Sequence, residues 1–259
     1  MTASPEHAIL DMTGITAVEI ATFGGELSVV TGADRPRLEA TVYGNATWSV
    51  ERVGALLYIV GKKRGFFYHG NGVGFRLWLP ARLALKLANV SGNIRVRGDV
   101  RSLAANVVHG EIELRASNPD EVKLRVAHGR AVIHGVTSAF DITATPGDVR
   151  ITNSGGTFNI TATPGNALLE QVTLAPGSHT ISTAPGNIEI VGIHAPGGLD
   201  LFGKPTLPPI TVDMPGYDIR NKGRHLHARL PGPRPARLTL YPVGALSIKG
   251  RRIGGSSRA

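Results

Sequence analysis

A short motif built around glycine returns six times in the middle of the chain at nearly constant spacing. Its glycines are separated by 18, 19, 18, 18 and 21 residues. The six copies are SGNIRV from Ser91, HGEIEL from His109, HGRAVI from His128, PGDVRI from Pro146, PGNALL from Pro164 and PGNIEI from Pro185. A fixed period of this length indicates one small structural unit that is repeated and stacked on itself.

Apolar residues alternate with polar ones on both sides of each repeat glycine. Positions −7, −5, −3, +2 and +4 hold apolar residues in 27 of 30 places, and the exceptions are Asn89, His179 and Thr183. The opposite positions hold only four apolar residues in 24, namely Ala88, Ala104, Val132 and Leu168. A period of two maintained through six copies predicts strands with one buried and one exposed face.

Two strands joined by a glycine turn in each 18–19 residues are too few for a propeller blade, which needs about 40–45 residues. The pattern therefore predicts an all-β fold, a β-solenoid with about 18–19 residues per repeat. We expect a tail at 1–14, β-strand rungs and a hairpin at 15–80, the regular solenoid core at 81–195, and a loop-rich basic segment at 196–259 with a further rung at 236–250.

The stretch FRLWLPARLALKLANVSGNIRVRGDV from Phe75 resembles the signature of the bacterial putative-adhesin-like family of β-strand repeat proteins. There, a strand that ends in proline leads into iterated sGxIxV units, which HGEIEL, PGDVRI and PGNIEI continue here. The resemblance covers residues 15–195 and extends to 236–250. It implies a single-stranded right-handed β-helix with a surface-exposed binding role, and it brings no catalytic residues.

The net charge of +9 lies entirely at the carboxyl end. Residues 216–259 hold ten Lys or Arg against one acid, Asp218, whereas residues 1–215 hold 18 basic and 18 acidic residues. Such a segment attracts nucleic acid, anionic lipid or acidic glycan, and the alternative is a solvated tail without a partner. The candidate polyanion-binding residues are Arg220, Lys222, Arg224, Arg229, Arg234, Arg237, Arg251 and Arg252.

A second candidate is the loop within Gly61–Phe75, where basic and aromatic residues are interleaved. Such loops stack on nucleic-acid bases or enter a membrane interface. The alternative, which we favour, is that the aromatic residues cap the end of the solenoid. The residues concerned are Lys62, Lys63, Arg64, Phe66, Phe67 and Tyr68.

Stacked repeats place equivalent polar residues side by side. Arg130 follows Glu111 on the next repeat, which favours ion pairing over catalysis by Glu111, Asp141 or Asp148. His109 and His128 occupy one position on successive repeats, and we expect stacked rings rather than a metal site, since no third ligand is evident. His225 and His227 alternate along one predicted strand, where neighbouring arginines disfavour zinc.

The chain lacks cysteine, which excludes disulfides and thiol chemistry, and it shows none of the common nucleophile, phosphate-loop or metalloprotease motifs. We therefore predict a non-enzymatic binding or scaffold module without a cofactor or metal, which binds a polyanion or a protein partner. One alternative is a self-assembling structural β-helix that forms homo-oligomers through the solenoid ends. The second is a carbohydrate-active β-helix enzyme. The sequence shows no signal peptide or membrane span, so the expected location is cytoplasmic.

Overall fold

The described residues of the chain form strands and the turns and loops that connect them. The computed structural model describes residues 3–62, 72–206, 209–214, 216–222 and 225–250, with side chains at all of these except 3, 4, 116, 117, 221 and 222. Strands account for 71% of the structure, no described residue is helical, and the parallel strand pairings include a closed ring of seven strands. The prediction of an all-β fold is confirmed.

The chain divides into two compact units, Met1–Ser138 and Ala139–Ala259. The first contains β1 (Ala3–Ile9), β2 (Ala17–Thr22), β3 (Leu27–Thr31), β4 (Arg37–Tyr43), β5 (Thr47–Val53), β6 (Leu56–Lys62), β7 (Gly72–Leu79), β8 (Leu83–Ser91), β9 (Ile94–Ser117), β10 (Glu121–Val126) and β11 (Gly129–His134).

The strand β12 (Thr137–Ala144) begins at the end of the first unit. The second unit continues with β13 (Gly147–Thr152), β14 (Gly155–Ala162), β15 (Ala167–Leu174), β16 (Gly177–Thr183), β17 (Ile188–His194), β18 (Leu199–Gly203), β19 (Ile210–Asp213), β20 (Asp218–Lys222), β21 (His225–Leu230), β22 (Ala236–Pro242) and β23 (Leu246–Gly250).

In the first unit, parallel pairs join strands that carry equivalent parts of the repeat. β9 pairs in parallel with β8, β10 and β11, and Gly129 of β11 lies opposite Gly110 of β9, which is the spacing of the repeat glycines. Three antiparallel pairs lie towards the amino terminus: β1 with β4, β4 with β7, and β5 with β6. The sequence pattern does not predict a strand before residue 15, because β1 lacks the alternation.

In the second unit, the strand order departs from the chain order. β13 pairs with β15 and β15 with β17, so Val149, Ala167 and Ile188 lie in one row. β22 and β23, which we call the inserted pair, follow much later in the chain. They lie between earlier strands, since β22 pairs with both β16 and β18, and β23 pairs with both β17 and β19. The strands at 236–250, where the sequence predicts a further rung, are therefore internal.

The core consists of the side chains that the alternation points inwards. All 30 template positions around the six repeat glycines are buried, including the three that are polar. Phe140 and Phe158 stack in this core with ring centroids 5.1 Å apart. Burying apolar surface at about 25 cal/mol per Å² is the main favourable contribution to such a fold.

Each polar exception in the core has hydrogen-bond partners. Asn89 donates to the Gly25 carbonyl at 2.8 Å, and Thr183 donates to the Gly186 carbonyl at 2.9 Å. The Phe158 N–H donates to Nδ1 of His179 at 3.2 Å, so Nε2 carries the ring proton and lies 2.8 Å from the Ala175 carbonyl. Burial lowers the pKa of His179 below the ordinary value of 6.5, which keeps the ring neutral.

The repeat glycines are required because backbones approach closely at the turns. A Cβ at Gly165 would overlap the carbonyl oxygen of Gly147, and one at Gly186 would overlap that of Gly165. The next residue of these repeats forms a ladder in which a side-chain oxygen accepts a backbone N–H of the following turn. Asp148 accepts from Asn166 at 2.8 Å and Asn166 from Asn187 at 3.0 Å. The ladder fixes each turn against its neighbour.

Candidate polyanion-binding face

Four neighbouring strands in the second unit carry most of the described basic residues of the carboxyl-terminal segment. β18 lies between β22, with which it is parallel, and β21, with which it is antiparallel. β20 then pairs antiparallel with β21. These pairings bring together residues that are up to about 40 positions apart in the chain.

Alternation along these strands separates core side chains from surface side chains. On β22, Leu238 and Leu240 are buried while Arg237 is exposed, and on β21, Leu226 is buried while Arg229 is exposed. The outward side chains form one surface, which we call the basic face. Its members are Asp200, Phe202, Lys204, Asp218, Arg220, His225, His227, Arg229, Arg237, Thr239 and Tyr241.

Strand register arranges the basic face in rows across the strands. The first row is Arg237, Asp200, Arg229 and Asp218, and the second is Thr239, Phe202, His227 and Arg220. Lys204 follows β18, and its backbone N–H donates to the Leu240 carbonyl at 3.0 Å, beside Tyr241. Neighbouring strands are about 4.8 Å apart, so charges in a row are close together.

Some of these charges are paired within the face and others are not. Asp200 Oδ1 lies 2.8 Å from His227 Nε2, and Arg220 pairs with Asp218 at 3.2 Å. Within the described residues, Arg229, Arg237 and Lys204 have no ion-pair partner. The face thus presents three exposed cations that are available to an external anion.

Exposed aromatic rings lie among these cations. Phe202 is 40% exposed, and one side of its ring stacks on His227 with centroids 4.6 Å apart and planes inclined at 9°. Tyr241 is 45% exposed. It lines an open groove of about 350 Å³ together with Ser182, Lys204, Thr206 and His225.

The structure brings together part of the predicted polyanion set. Arg220, Arg229 and Arg237 lie on the basic face, and Lys222 lies in β20 opposite His225. Arg234 is exposed in the loop between β21 and β22, away from the rows. Three of the predicted residues, Arg224, Arg251 and Arg252, lie outside the described residues.

Most of the predicted basic and aromatic loop lies outside the described residues. Lys62 is exposed at the end of β6, where it lies opposite Thr47. Lys63, Arg64, Phe66, Phe67 and Tyr68 are outside the described residues, so the choice between binding loop and cap stays a prediction.

Sequence reasoning missed Phe202, Lys204 and Tyr241 as members of a site. The alternation in LDLFGK from Leu199 was a usable signal, since it places Asp200, Phe202 and Lys204 on one side of a strand. No sequence signal indicated that β22 would lie beside β18.

The remaining candidate sites have structural partners. His109 and His128 stack with centroids 4.9 Å apart, as expected, and the described residues contain no group of three potential metal ligands. Glu111 lies 3.9 Å from Arg130, Asp141 accepts a hydrogen bond from Asn159, and Asp148 accepts two from Asn166. Within the described residues, no helix is long and apolar enough to cross a membrane.

Comparisons with known proteins support the fold. The chain is similar to a crystal structure of a "putative adhesin" from Parabacteroides distasonis ATCC 8503, with 12% identity, a TM-score of 0.54 and coverage of 96% of this chain and 94% of that one. It is also similar to a "putative adhesin" from Parabacteroides merdae ATCC 43184, with 12% identity, a TM-score of 0.51 and coverage of 95% of both chains. The chain therefore has a fold similar to that of these two proteins.

No family model and no curated protein matches the chain. Membership in the bacterial putative-adhesin-like family of β-strand repeat proteins therefore stays a prediction. At 12% identity, the likeness concerns the fold and not the ligand.

Proposed function

We propose that the chain is a non-enzymatic, adhesin-like binding module that contacts a polyanion through its basic face. The observation that carries the proposal is the convergence of Arg229, Arg237 and Lys204 on neighbouring strands without ion-pair partners in the described residues. Unpaired exposed cations raise the local concentration of anions, and the electrostatic potentials of neighbouring cations add together. The partner is a nucleic acid, an anionic lipid surface or an acidic glycan.

A binding role is favoured over turnover by the contacts of the candidate carboxylates. Glu111, Asp141 and Asp148 each lie within ion-pair or hydrogen-bond distance of an exposed neighbour in the repeat, so each has a structural role. An acid or base for glycoside chemistry instead needs a second carboxylate facing it across a cleft.

The experiment that tests the proposal is fluorescence-anisotropy binding to labelled DNA, RNA, acidic polysaccharide and anionic vesicles across a salt series. The variant carries Arg220→Gln, Arg229→Gln and Arg237→Gln. The matched control carries Arg35→Gln, Arg101→Gln and Arg125→Gln, which removes the same charge from exposed positions of the first unit. We expect the slope of log affinity against log salt to fall by about 1 for each of Arg229 and Arg237, and by less for Arg220, which is paired with Asp218, in the variant only. Equal losses in both proteins would contradict the proposal.

The architecture proposed for the module is a single-stranded right-handed β-helix. Its support is that paired residues are separated by the spacing of the sequence repeat, as in Val149 opposite Ala167. Deleting residues 147–164 joins Pro146 to Gly165 and restores the motif, so a β-helix one repeat shorter is expected to fold. Deleting residues 147–155 removes half a repeat and is expected to unfold the second unit. Circular dichroism and thermal melting measure both, and equal tolerance of the two deletions would refute the β-helix.

Self-association is a second candidate function, and the free edge of β5 favours it. Among the described residues, β5 pairs only with β6, and its Val50 and Val53 are 37% and 55% exposed. An unprotected strand edge can pair with another chain. Sedimentation from micromolar to millimolar concentration tests this, with Val50→Lys as the variant expected to abolish any association. A strict monomer over this range excludes it.

A further inference from the structure

The Tyr241 groove combines three chemical features at one end of the basic face. Tyr241 supplies an exposed aromatic ring, Lys204 a cation without an ion-pair partner in the described residues, and Ser182 and Thr206 hydroxyl groups. Its volume of about 350 Å³ lies at the lower end of the range of about 300–1,000 Å³ for ligand sites. The groove has room for one small cyclic unit of a longer molecule.

These features specify the chemistry of the occupant. An exposed ring attracts a flat apolar surface, Lys204 attracts an anionic group, and hydroxyls exchange hydrogen bonds with a polar rim. An acidic sugar has all three, because the axial C–H groups on one side of the ring are apolar while its hydroxyls and its carboxylate or sulfate lie at the edge. A nucleotide also offers a flat ring and an anion. The other residues of the basic face distinguish an acidic sugar from a nucleotide.

The acidic residues of the face favour the sugar. The first row alternates in sign, with Asp200 between Arg237 and Arg229, and Asp218 beyond Arg229. A nucleic acid carries one charge on every phosphate, about one per 3.4 Å of each strand in a duplex, and would be repelled by both carboxylates. A glycan with one anionic group per one or two sugars places hydroxyls between its charges, and these hydroxyls can donate to aspartate.

The aromatic residues of the basic face also favour a sugar over a nucleic acid. Binding of single-stranded nucleic acid relies on successive bases stacking on aromatic side chains. On the basic face, one side of the Phe202 ring is covered by His227, and Tyr241 and His225 are the described rings that line the groove. An exposed tyrosine ring at one end of the face, with cations along adjacent strands, fits a sugar chain anchored by one ring.

We propose that the Tyr241 groove is the subsite of this chain for one ring of an acidic glycan, with the sugar on Tyr241, its anionic group at Lys204, and the rest of the glycan along Arg237 and Arg229. This inference rests on the proposed polyanion-binding function and adds the class of ligand and the residue that selects it. Phe202 and His227 border the path of the glycan.

The test compares polygalacturonate, which has one carboxylate per sugar, with its methyl ester, which keeps the sugars and removes the charge. Oligo(dT) and phosphatidylserine vesicles are the other two probes. The variants are Tyr241→Ala, Tyr241→Leu, Tyr241→Phe and Lys204→Gln. Phe23→Ala and Arg125→Gln, at exposed positions of the first unit, are the matched controls, and thermal melting checks that each variant is folded.

We expect wild type to prefer polygalacturonate to its ester and to both other probes at equal salt. Tyr241→Ala and Tyr241→Leu should each weaken this binding about tenfold with little change in the salt slope, because the ring contact carries no charge. Tyr241→Phe should retain it. Lys204→Gln should lower the salt slope by about 1, and the controls should bind as wild type does.

Different failures identify different errors. If the triple arginine variant loses binding but Tyr241→Ala and Tyr241→Leu do not, the groove inference is wrong and the polyanion-binding function stands. If oligo(dT) or vesicles bind more tightly than polygalacturonate, the glycan is the wrong ligand class. If wild type binds none of the probes at low salt, the proposed function fails as well.

Discussion

The strands β13–β17 and the strands β18–β21 belong to the same unit and differ in how they use their polar residues. β13–β17 pair only in parallel among themselves, and their exposed charges hold neighbouring strands together, as in Arg150 with Glu170 at 2.8 Å. β18–β21 include two antiparallel pairs, and their arginine at position 229 has no ion-pair partner among the described residues. Polar groups of β13–β17 hold neighbouring strands together, whereas β18–β21 leave Arg229 available to a ligand.

The inserted pair explains how β18–β21 are attached to the strands β13–β17. Among the described strands, β18 pairs with β21 and β22, and β22 connects it to β16 because β22 lies between β16 and β18. The last described strands of the chain therefore support a surface formed by earlier residues. The stability of the basic face depends on contacts distant in sequence.

Truncating a core leucine in the inserted pair and one in β13–β17 should give the largest effects. Leu240 of the inserted pair and Leu169 of β15 are both buried, and changing either to Ala should cost about 2–5 kcal/mol because a cavity remains. Urea denaturation measures the cost. Amide hydrogen exchange of β18 should accelerate in Leu240→Ala and not in Leu169→Ala at matched temperature. Equal β18 protection in both variants would show that the inserted pair does not hold β18.

Adding a methyl group at a turn glycine should give the next largest difference, between a turn of β13–β17 and the turn that joins the inserted pair. A Cβ at Gly165 would overlap the Gly147 carbonyl, whereas one at Gly244 would lie 2.6 Å from the Gly186 carbonyl oxygen and meet the side chain of Asn187, which can move. Gly165→Ala should lower the free energy of unfolding by at least about 2 kcal/mol, and Gly244→Ala by less. Thermal and urea unfolding measure both variants, and the reverse order would mean that the regular turns relax more easily.

Acid should lower the free energy of unfolding through His179, which lies in β16 and bonds to Phe158 of β14. Because the pKa of His179 is lowered in the folded chain, the unfolded chain binds more protons below pH 6.5. Stability is complete above about pH 6.5 and falls as the pH drops through the folded pKa, by about 1.4 kcal/mol per unit of lowering.

Urea denaturation at pH 5, 6, 7 and 8 measures this dependence. His179→Gln can still accept the Phe158 N–H but cannot titrate, so the difference between wild type and variant isolates this group from the other histidines. An identical pH dependence in both proteins would contradict the assignment of a neutral, buried ring.

Removing one exposed arginine from β13 or from β22 should have the smallest effect on stability. Arg150 is about half exposed, and its pair with Glu170 should contribute about 0–1 kcal/mol. Arg237→Gln should leave the free energy of unfolding unchanged but weaken polyanion binding, whereas Arg150→Gln should leave binding unchanged. Paired denaturation and anisotropy measurements compare the two, and a stability loss in Arg237→Gln would indicate a missed structural contact.

The sequence by itself determined the all-β fold and the buried face of the repeats, because alternation about each glycine is a local property of the chain. It even placed Asn89, His179 and Thr183 in the core, although these residues are polar. It also identified Arg220, Arg229 and Arg237 as binding candidates from charge alone.

Only the tertiary structure decided which residues share a surface with those arginines. The inserted pair brings Tyr241 beside Lys204, although the two are far apart in the chain, and the pairing of β21 with β18 brings His227 to Asp200. These neighbours depend on which strand edge accepts β22, a long-range choice made by the packing of buried side chains. Local alternation is the same for either edge, so the sequence pattern could not distinguish them.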